Sequence, residues 1–203
     1  MLKINSELKK AITFFENNKL KNAEKICLKI YNLDPKNFDN LRLLNFIYFR
    51  KNEFSKALTF INKAIKINPN FAEAYMEKGN ILNKIKQFDS AIKNYDVAIK
   101  INPNYSHAYY NKGLVLHELK KIKDAEENYS KAIKINPNHI YAYNNKGFAL
   151  QQLKKFDESL KNYNKVFAIN PNFNFLLGKI AHTKSLLCYW ESLDKILELI
   201  KKN

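Results

Sequence analysis

The sequence contains few of the residues that mark redox, phosphate-binding and metal-dependent proteins. Its 203 residues include two cysteines, four glycines and four histidines. Cys27 and Cys188 do not form a pair at metal or redox spacing, and both are predicted to be structural thiols, because free cysteine packs as a small apolar side chain. No P-loop and no G-x-G-x-x-G loop is present. We therefore expect no cofactor and no metal.

Catalytic patterns are also missing from the sequence. The histidines show neither an H-E-x-x-H motif nor any paired-ligand spacing, and no G-x-S-x-G motif occurs; they are His107, His117, His139 and His182. Carboxylates such as Asp124, Glu126 and Glu127 fall on a predicted helix, where a solvated face is expected. The sequence predicts that the chain is not an enzyme by itself.

Long hydrophobic runs are absent as well. The first ten residues are polar and charged, without the apolar core of a signal peptide. No segment has the 18 or so consecutive apolar residues that a membrane span requires. These features lead us to expect a cytoplasmic protein without a membrane span.

Arginine is nearly absent, although the net charge is +16. Only Arg42 and Arg50 occur, so 35 − 2 = 33 of the basic residues are lysines. Arginine is the preferred side chain for bidentate phosphate and base contacts, and its scarcity disfavours nucleic acid as the partner. We interpret the lysines as solvated surface, with non-specific affinity for acidic partners as the alternative.

A strict repeat is the strongest feature that the sequence does contain. The five prolines lie 34 residues apart, at Pro35, Pro69, Pro103, Pro137 and Pro171. This period is typical of stacked copies of one supersecondary unit. We predict five repeats over residues 4–173, followed by a C-terminal capping and transition segment at 174–203. The repeats are 4–37, 38–71, 72–105, 106–139 and 140–173.

The pattern within each repeat predicts a helix, a short turn and a second helix. Positions are counted from the first residue of each repeat. Positions 4, 7, 8 and 11 lie on one face of the first helix. Glycine at position 8 (Gly79, Gly113 and Gly147) permits close approach of the second helix, which has a small residue at position 20 and a larger one at position 24. Proline at position 32 ends the second helix. The fold class is therefore predicted to be all-α.

This pattern resembles the tetratricopeptide repeat, with its aromatic, Leu-Gly, Tyr, Ala, Phe and Pro at matching spacings. The resemblance implies a right-handed superhelical solenoid of helix-turn-helix repeats with a C-terminal cap. It also implies a concave groove that binds other proteins.

The face of the first helices opposite the packing positions is the predicted binding surface. It carries amides, tyrosines and histidines rather than lysines. Asparagine both donates and accepts hydrogen bonds, and tyrosine adds rigid contact area. The alternative is that these asparagines are merely solvated. The predicted groove residues are Glu73, Met76, Glu77, Asn80, Asn83, His107, Tyr110, Asn111, His117, Tyr141, Asn144, Asn145 and Gln151.

The tail is predicted to break the repeat register, because Gly178 lies 31 residues after Gly147. We expect a helix from Phe175 to Ile180 to cover the last repeat. We also expect an apolar stripe at Leu193, Ile196, Leu197 and Ile200 to pack back on that helix.

The segment 178–193, with Cys188 and Trp190, is similar to the element that follows the repeats in bacterial proteins resembling O-linked N-acetylglucosamine transferase. Asn111 and Asn145 are similar to the asparagine ladder of that family. Two main functions are therefore considered, beside a third, weaker class in which the lysines bind nucleic acid or a membrane surface. The first is a scaffold that holds a protein or peptide segment in its groove. The alternative is the substrate-recruiting region of a protein glycosyltransferase, without its catalytic domain.

Overall fold

The computed structural model describes residues 2–188, and all regular secondary structure in this range is α-helical. This confirms the predicted fold class. Successive helices alternate as the first and second helix of each repeat. They are α1 (Leu2–Glu16), α2 (Leu20–Leu33), α3 (Phe38–Arg50), α4 (Phe54–Ile67), α5 (Ala72–Lys84), α6 (Phe88–Ile101), α7 (Ser106–Glu118), α8 (Ile122–Ile135), α9 (Ile140–Gln152), α10 (Phe156–Ile169) and α11 (Leu176–Leu186).

The helices belong to two compact units, which divide between Pro103 and Asn104. In the N-terminal unit, each helix from α1 to α6 packs against the next in sequence. In the C-terminal unit, α7 to α11 pack in the same sequential way. Helices that contact their neighbours in chain order are what a repeat with short connections produces, because each amphipathic face needs an adjacent partner.

The turn between the two helices of a repeat places one residue in the left-handed region. Its φ angle is between 56° and 62° in all five repeats. The next backbone N–H then donates to a carbonyl five residues earlier, as Lys121 does to Leu116 at 2.9 Å, which satisfies a carbonyl at the helix end. The left-handed residues are Asn18, Asn52, Lys86, Lys120 and Lys154.

A second turn follows the second helix of a repeat. At position 31 the side-chain oxygen of an aspartate or asparagine accepts a hydrogen bond from the backbone N–H two residues later. This Asx turn is seen at Asp34, Asn68, Asn136 and Asn170, with distances of 3.1–3.3 Å. The residue between donor and acceptor is proline, which prevents the helix from continuing. Some of the many asparagines in this sequence therefore have a structural role, because their side chains stabilise these turns.

The glycines at position 8 face a buried tyrosine at position 24. A Cβ atom on Gly113 would lie 2.6 Å from Cε1 of Tyr129, which is closer than real contacts allow. Gly79 with Tyr95 and Gly147 with Tyr163 show the same arrangement. The first two repeats have larger residues at position 8 and smaller ones at position 24, namely Ala11 with Cys27 and Asn45 with Ile61. In repeats three to five the space between the two helices is therefore filled by the position-24 tyrosine alone. In the first two repeats the side chains at positions 8 and 24 both contribute to filling it.

Helix α11 covers the end of the last repeat. Leu176, Ile180 and Ala181 join Leu160 and Tyr163 in one buried cluster. Phe175 was predicted to belong to this covering helix, but it precedes α11 in the left-handed conformation and is 87 % exposed. Its backbone conformation directs the side chain away from the cluster.

The predictions for the two cysteines have different outcomes. Cys27 is buried, and burial raises its pKa to about 12, as expected for a packed thiol. Cys188 is exposed, so the prediction of a packed thiol there is wrong. Trp190 and the predicted stripe at Leu193, Ile196, Leu197 and Ile200 lie outside the described residues.

Within residues 2–188, none of the helices combines the length and the apolar character that crossing a membrane requires. In the same range, no three or more histidine, cysteine, aspartate or glutamate side chains come together in an arrangement that could hold a metal ion.

Candidate functional site

The candidate site lies on the first helices of the repeats. We call the surface that these helices form in each unit its odd-helix face; it comprises α1, α3 and α5 in the N-terminal unit and α7, α9 and α11 in the C-terminal unit. On this face, a side chain at position 5 of one repeat bonds to the side chain 35 residues later. The bonded pairs are Arg42 with Glu77, Tyr110 with Asn145, and Asn144 with Lys179.

In the N-terminal unit this pairing produces a buried ion pair. Arg42 Nε donates to Glu77 Oε1 at 3.1 Å, and the Arg42 Nη2 group contacts the same oxygen. Asn45 Nδ2 donates to Glu77 Oε2 at 3.0 Å, so both carboxylate oxygens are bonded. The Glu77 side chain is only 4 % exposed. Burial raises the pKa of Glu77, while the hydrogen bond and charge of Arg42 act in the opposite direction.

Both arginines of the chain make their contacts within this unit. The Arg42 guanidinium lies 4.6 Å from the ring centroid of Phe71. The Arg50 guanidinium lies 4.1 Å from the ring of Phe15 and donates to the Phe15 carbonyl oxygen at 3.1 Å. These contacts combine cation–π attraction with hydrogen bonding. The two arginines thus stabilise the repeat packing.

The other predicted site residues of the N-terminal unit are partly buried on α5. Asn80 Nδ2 lies 3.0 Å from the sulfur of Met76, and Tyr95 donates to Asn80 Oδ1 at 2.9 Å. Glu73 and Asn83 are half-buried. Asn80 is therefore fixed by the hydroxyl of a core tyrosine, which orients its amide on the face.

In the C-terminal unit the same positions form a chain of hydrogen bonds, which we call the relay. Lys179 Nζ donates to Asn144 Oδ1 at 2.6 Å. Asn144 Nδ2 donates to Asn145 Oδ1 at 2.9 Å, and Asn145 Nδ2 donates to the Tyr110 hydroxyl at 3.2 Å. The relay joins α11, α9 and α7. It brings together three of the predicted site residues, and Lys179 was not among those predictions.

Aromatic rings surround the Tyr110 end of the relay. The ring centroids of Tyr110 and His139 are 4.7 Å apart, and those of His139 and His107 are 5.4 Å apart. His107 is exposed, while His139 is only 8 % exposed. Tyr141 is 61 % exposed and contacts the ring of Phe173 at 5.7 Å. This end of the face therefore offers accessible aromatic surface next to polar atoms.

The remaining predicted residues of the C-terminal unit lie farther along the same helices. Gln151 Nε2 donates to the Thr183 hydroxyl at 2.7 Å, and Gln151 Oε1 accepts from Tyr163 at 3.2 Å. The His117 ring packs against Phe148 with centroids 5.3 Å apart. Asn111 is half-buried on α7.

Burial shifts the pKa of three groups at this site. It lowers the pKa of Lys179, and it raises the pKa of the Tyr110 hydroxyl, whose bond from Asn145 acts in the opposite direction. The pKa of His139 is lowered mainly by burial and further by the nearby His107. His139 Nδ1 accepts a hydrogen bond from the Ala142 backbone at 3.3 Å, which caps α9.

Two members of this site were missed from the sequence, Lys179 and His139. Lys179 lies 34 residues after Asn145, and Ala181 lies 34 residues after Gly147. The contacts of α11 therefore keep the repeat register, and the predicted break at Gly178 does not occur in this helix. A Cβ atom on Gly178 would meet nothing within 4 Å, so this glycine is not the packing residue.

Comparison with known families and proteins agrees with this architecture. The tetratricopeptide repeat family model matches residues 106–139 and 140–173, and a second repeat model matches residues 79–120. A model of the anaphase-promoting complex, cyclosome, subunit 3 matches residues 16–98.

The chain is also similar to known proteins. It is 36 % identical over 66 residues to the Caenorhabditis elegans UDP-N-acetylglucosamine–peptide N-acetylglucosaminyltransferase; the match covers 32 % of this chain and 6 % of that relative. MamA, whose crystal structure is known, has 27 % sequence identity to this chain. The two structures match with a TM-score of 0.72 over 79 % of this chain and 94 % of MamA. PilF from Pseudomonas aeruginosa is 16 % identical and shares the fold, with a TM-score of 0.86 over 98 % of this chain and 90 % of PilF.

Proposed function

Because the chain is a tetratricopeptide repeat protein, we propose that it is a scaffold that binds an extended segment of a partner protein on its odd-helix face. The observation that carries this proposal is the relay with its aromatic border. Asn144, Asn145 and Tyr110 are held in fixed orientations by hydrogen bonds to one another. Side chains that are ordered before binding lose little conformational entropy when a ligand arrives.

The border of the relay supplies contact area. Tyr141 and Phe148 are 61 % and 44 % exposed, and both lie on α9. Tyrosine and phenylalanine bury large areas with few rotatable bonds, so they are effective anchors in protein interfaces. Amide groups beside such anchors can pair with the backbone of a bound segment whatever its sequence.

Site-specific photo-crosslinking tests this function. A benzophenone side chain is placed at Tyr141 in the full chain, and at Lys131 on α8 as the matched control. We expect crosslinks from position 141 to a defined segment of a partner, identified by mass spectrometry, and few from position 131. Replacing Asn111 and Asn145 with alanine should reduce these crosslinks strongly while lowering the melting temperature only modestly, since Asn145 also bonds Asn144 and Tyr110.

Equal crosslinking from positions 141 and 131 would contradict the proposal, because Lys131 is exposed on a second helix of its repeat. A large loss of stability in the double alanine variant, with crosslinking intact, would show that the two amides are structural.

A second function is supported by the partial match to the N-acetylglucosaminyltransferase. In this alternative, the chain recruits substrates for protein glycosylation and is not itself catalytic. Purified residues 1–203 should then give no sugar transfer when mixed with a sugar nucleotide and an acceptor peptide. Measurable turnover by this chain alone would overturn both proposals, because each assigns it a purely binding role.

A further inference from the structure

In the C-terminal unit, the junction between α8 and α9 lies beside the junction between α10 and α11, and we call the two together the turn edge. They touch, because the ring of Tyr141 in the first junction contacts the ring of Phe173 in the second, with centroids 5.7 Å apart. Phe175 belongs to the second junction and is 87 % exposed. Among the described residues it is the most exposed large apolar side chain.

The backbone holds Phe175 in this exposed position. Helices α7 and α9 begin 34 residues apart, at Ser106 and Ile140, so the register predicts the next start at residue 174. Instead α11 begins at Leu176, and Phe175 has a φ angle of 57°. This left-handed conformation is unfavourable for a residue with a Cβ atom. A bulky apolar side chain that is kept in solvent at such a φ angle is a candidate for a functional role.

Further apolar side chains lie in the same junction. A cavity of about 620 Å³ opens at residues 171–178, and its lining includes Phe173 and Leu177 as well as Phe175. Phe167, in the last turn of α10, is 37 % exposed. The α10–α11 junction therefore presents apolar surface next to the Phe175 ring.

Carboxylates are scarce in the sequence that forms the turn edge. Residues 128–188 contain nine lysines but only two carboxylates, Asp157 and Glu158. Both carboxylates belong to the first turn of α10, whereas the turn edge lies at the other end of that helix. The junction sequences, 131–143 and 163–178, contain none.

Three exposed lysines accompany the apolar side chains. Lys131 and Lys134 lie in the last two turns of α8, and Lys165 lies in the last two turns of α10. The junctions of the N-terminal unit carry lysines too, but there Asp39 and Glu73 occupy the repeat position of Phe175. The combination of basic charge with an exposed aromatic ring is therefore a property of the C-terminal unit.

We propose that the turn edge of the C-terminal unit binds the surface of an anionic lipid bilayer, with the Phe175 ring inserted among the lipids. Lysines are attracted by the negative potential of such a surface, and apolar side chains that enter the headgroup region add hydrophobic stabilisation. Nucleic acid is the competing anionic partner. Arginine is the preferred side chain for phosphate and base contacts, and no arginine occurs after Arg50.

This inference goes beyond the proposed function, because the turn edge and the odd-helix face are different surfaces. Co-sedimentation of the full chain with vesicles tests it, with phosphatidylcholine alone compared to phosphatidylcholine mixed with phosphatidylserine. We expect partition into the phosphatidylserine vesicles to be about tenfold or more stronger, and to weaken as salt is added. Equal binding to both kinds of vesicle, or binding to neither, would overturn the inference while the scaffold function stands.

Phe175→Asn tests insertion separately from charge. Asparagine adopts the left-handed region more readily than phenylalanine does, so this variant should fold and be at least as stable. Loss of the ring should lower partition into phosphatidylserine vesicles about tenfold. The matched control Leu33→Asn replaces a side chain that is 76 % exposed at the end of α2 in the N-terminal unit, and it should leave partition nearly unchanged. Equal losses in the two variants, or unchanged binding of Phe175→Asn, would refute insertion.

Glutamine substitutions test the contribution of charge. Lys131→Gln, Lys134→Gln and Lys165→Gln should each lower partition about fivefold. The control Lys93→Gln makes the same change at an exposed site on α6 and should have little effect; an equal effect there would show that the attraction is not specific to the turn edge. If Phe175→Asn weakened binding of a single-stranded oligonucleotide and left vesicle binding intact, the edge would belong to nucleic acid and the proposal would fail.

Discussion

The two units use the same repeat positions for opposite purposes. In the N-terminal unit, the side chains 35 residues apart are Arg42 and Glu77, and the bonds from Arg42 and Asn45 occupy both oxygens of the carboxylate. In the C-terminal unit, the equivalent pairs are neutral or singly charged, and the chain of bonds ends at the Tyr110 hydroxyl. One arrangement is closed on itself, whereas the other is an open chain of hydrogen bonds that ends at a hydroxyl.

This difference shows how a repeat can be specialised without a change in fold. A buried ion pair is costly to expose or to break, because each charge has lost its water. Such a pair holds neighbouring repeats together but has little left to offer a partner. A row of amides and hydroxyls has a smaller desolvation cost and can exchange one partner for another. The N-terminal unit thus uses these positions for packing, and the proposed function assigns recognition to the C-terminal unit.

The largest effect is expected when the ion pair loses one member. Arg42→Met would leave the Glu77 carboxylate buried and unpaired, which should cost about 3 kcal/mol of unfolding free energy. The counterpart Lys179→Met leaves only the neutral Asn144 oxygen without a donor and should cost about 1 kcal/mol. Urea denaturation of both variants measures the difference. Equal losses would show that the two units do not differ in this respect.

The pH dependence of Arg42→Met provides an independent check. Burial raises the pKa of Glu77, and removal of Arg42 removes the main opposing influence. The folded state then binds a proton more readily than the unfolded state, so stability falls as pH rises above the unfolded value of about 4.3. The loss relative to the natural sequence should therefore be smaller at pH 5 than at pH 7.5. The double variant Arg42→Met/Glu77→Leu should recover most of the lost stability at both pH values.

The glycine–tyrosine pairs predict the next largest effect. Gly113→Leu forces a side chain into the space of Tyr129 and should cost about 1–3 kcal/mol or more. Gly113→Ala should cost less, and its penalty should shrink in the background Tyr129→Ile, which imitates the smaller partner Ile61 of the second repeat. A double-mutant cycle measured by denaturation gives the coupling energy. Strict additivity would refute the shared-volume explanation.

Much of the fold could be predicted from the sequence because the repeat constrains it. The 34-residue period, the prolines and the position-8 glycines each report local backbone or packing requirements, and the all-α helix-turn-helix fold is confirmed. No role was predicted for the asparagines at position 31, although Asn136 and its equivalents form Asx turns. Their spacing of 34 residues was the available signal.

The candidate site was harder to predict than the fold. Periodicity indicates which face a residue is on, but not which atom it bonds. Glu77 and Asn145 share position 6, yet one is buried in an ion pair and the other belongs to the relay. Lys179 was missed because Gly178 was aligned with the position-8 glycines in place of Ala181. The identity of the groove residues as ligand contacts stays a prediction.

A smaller effect is expected from His139. All four histidines lie after residue 103, so an effect of histidine protonation is specific to the C-terminal unit. The pKa of His139 is lowered by burial and by His107. Its contribution to stability is therefore complete above the unfolded value of about 6.5 and is lost as pH falls below it. Protonation of Nδ1 would also remove the cap of α9, worth about 0.5–2 kcal/mol.

The control for this prediction is His139→Phe, which places at this position the residue found at Phe71 and Phe173. The difference in stability between the natural sequence and this variant should shrink from pH 7.5 to pH 5.5, as monitored by thermal melting. A constant difference over this interval would mean that His139 does not titrate with folding.

The smallest effect concerns the turns between the two helices of a repeat. The left-handed residue is Asn52 in the second repeat and Lys120 in the fourth, with φ of 60° and 62°. Asparagine tolerates this region better than lysine does, and glycine adopts it without steric cost. Lys120→Gly should therefore raise the unfolding free energy by about 0.5–1 kcal/mol, whereas Asn52→Gly should change it little. Lys120→Ala removes the same charge but keeps the strain, so it should not be stabilising. A gain in Lys120→Ala equal to that in Lys120→Gly would attribute the effect to charge, and the turns of the two units would then be equivalent.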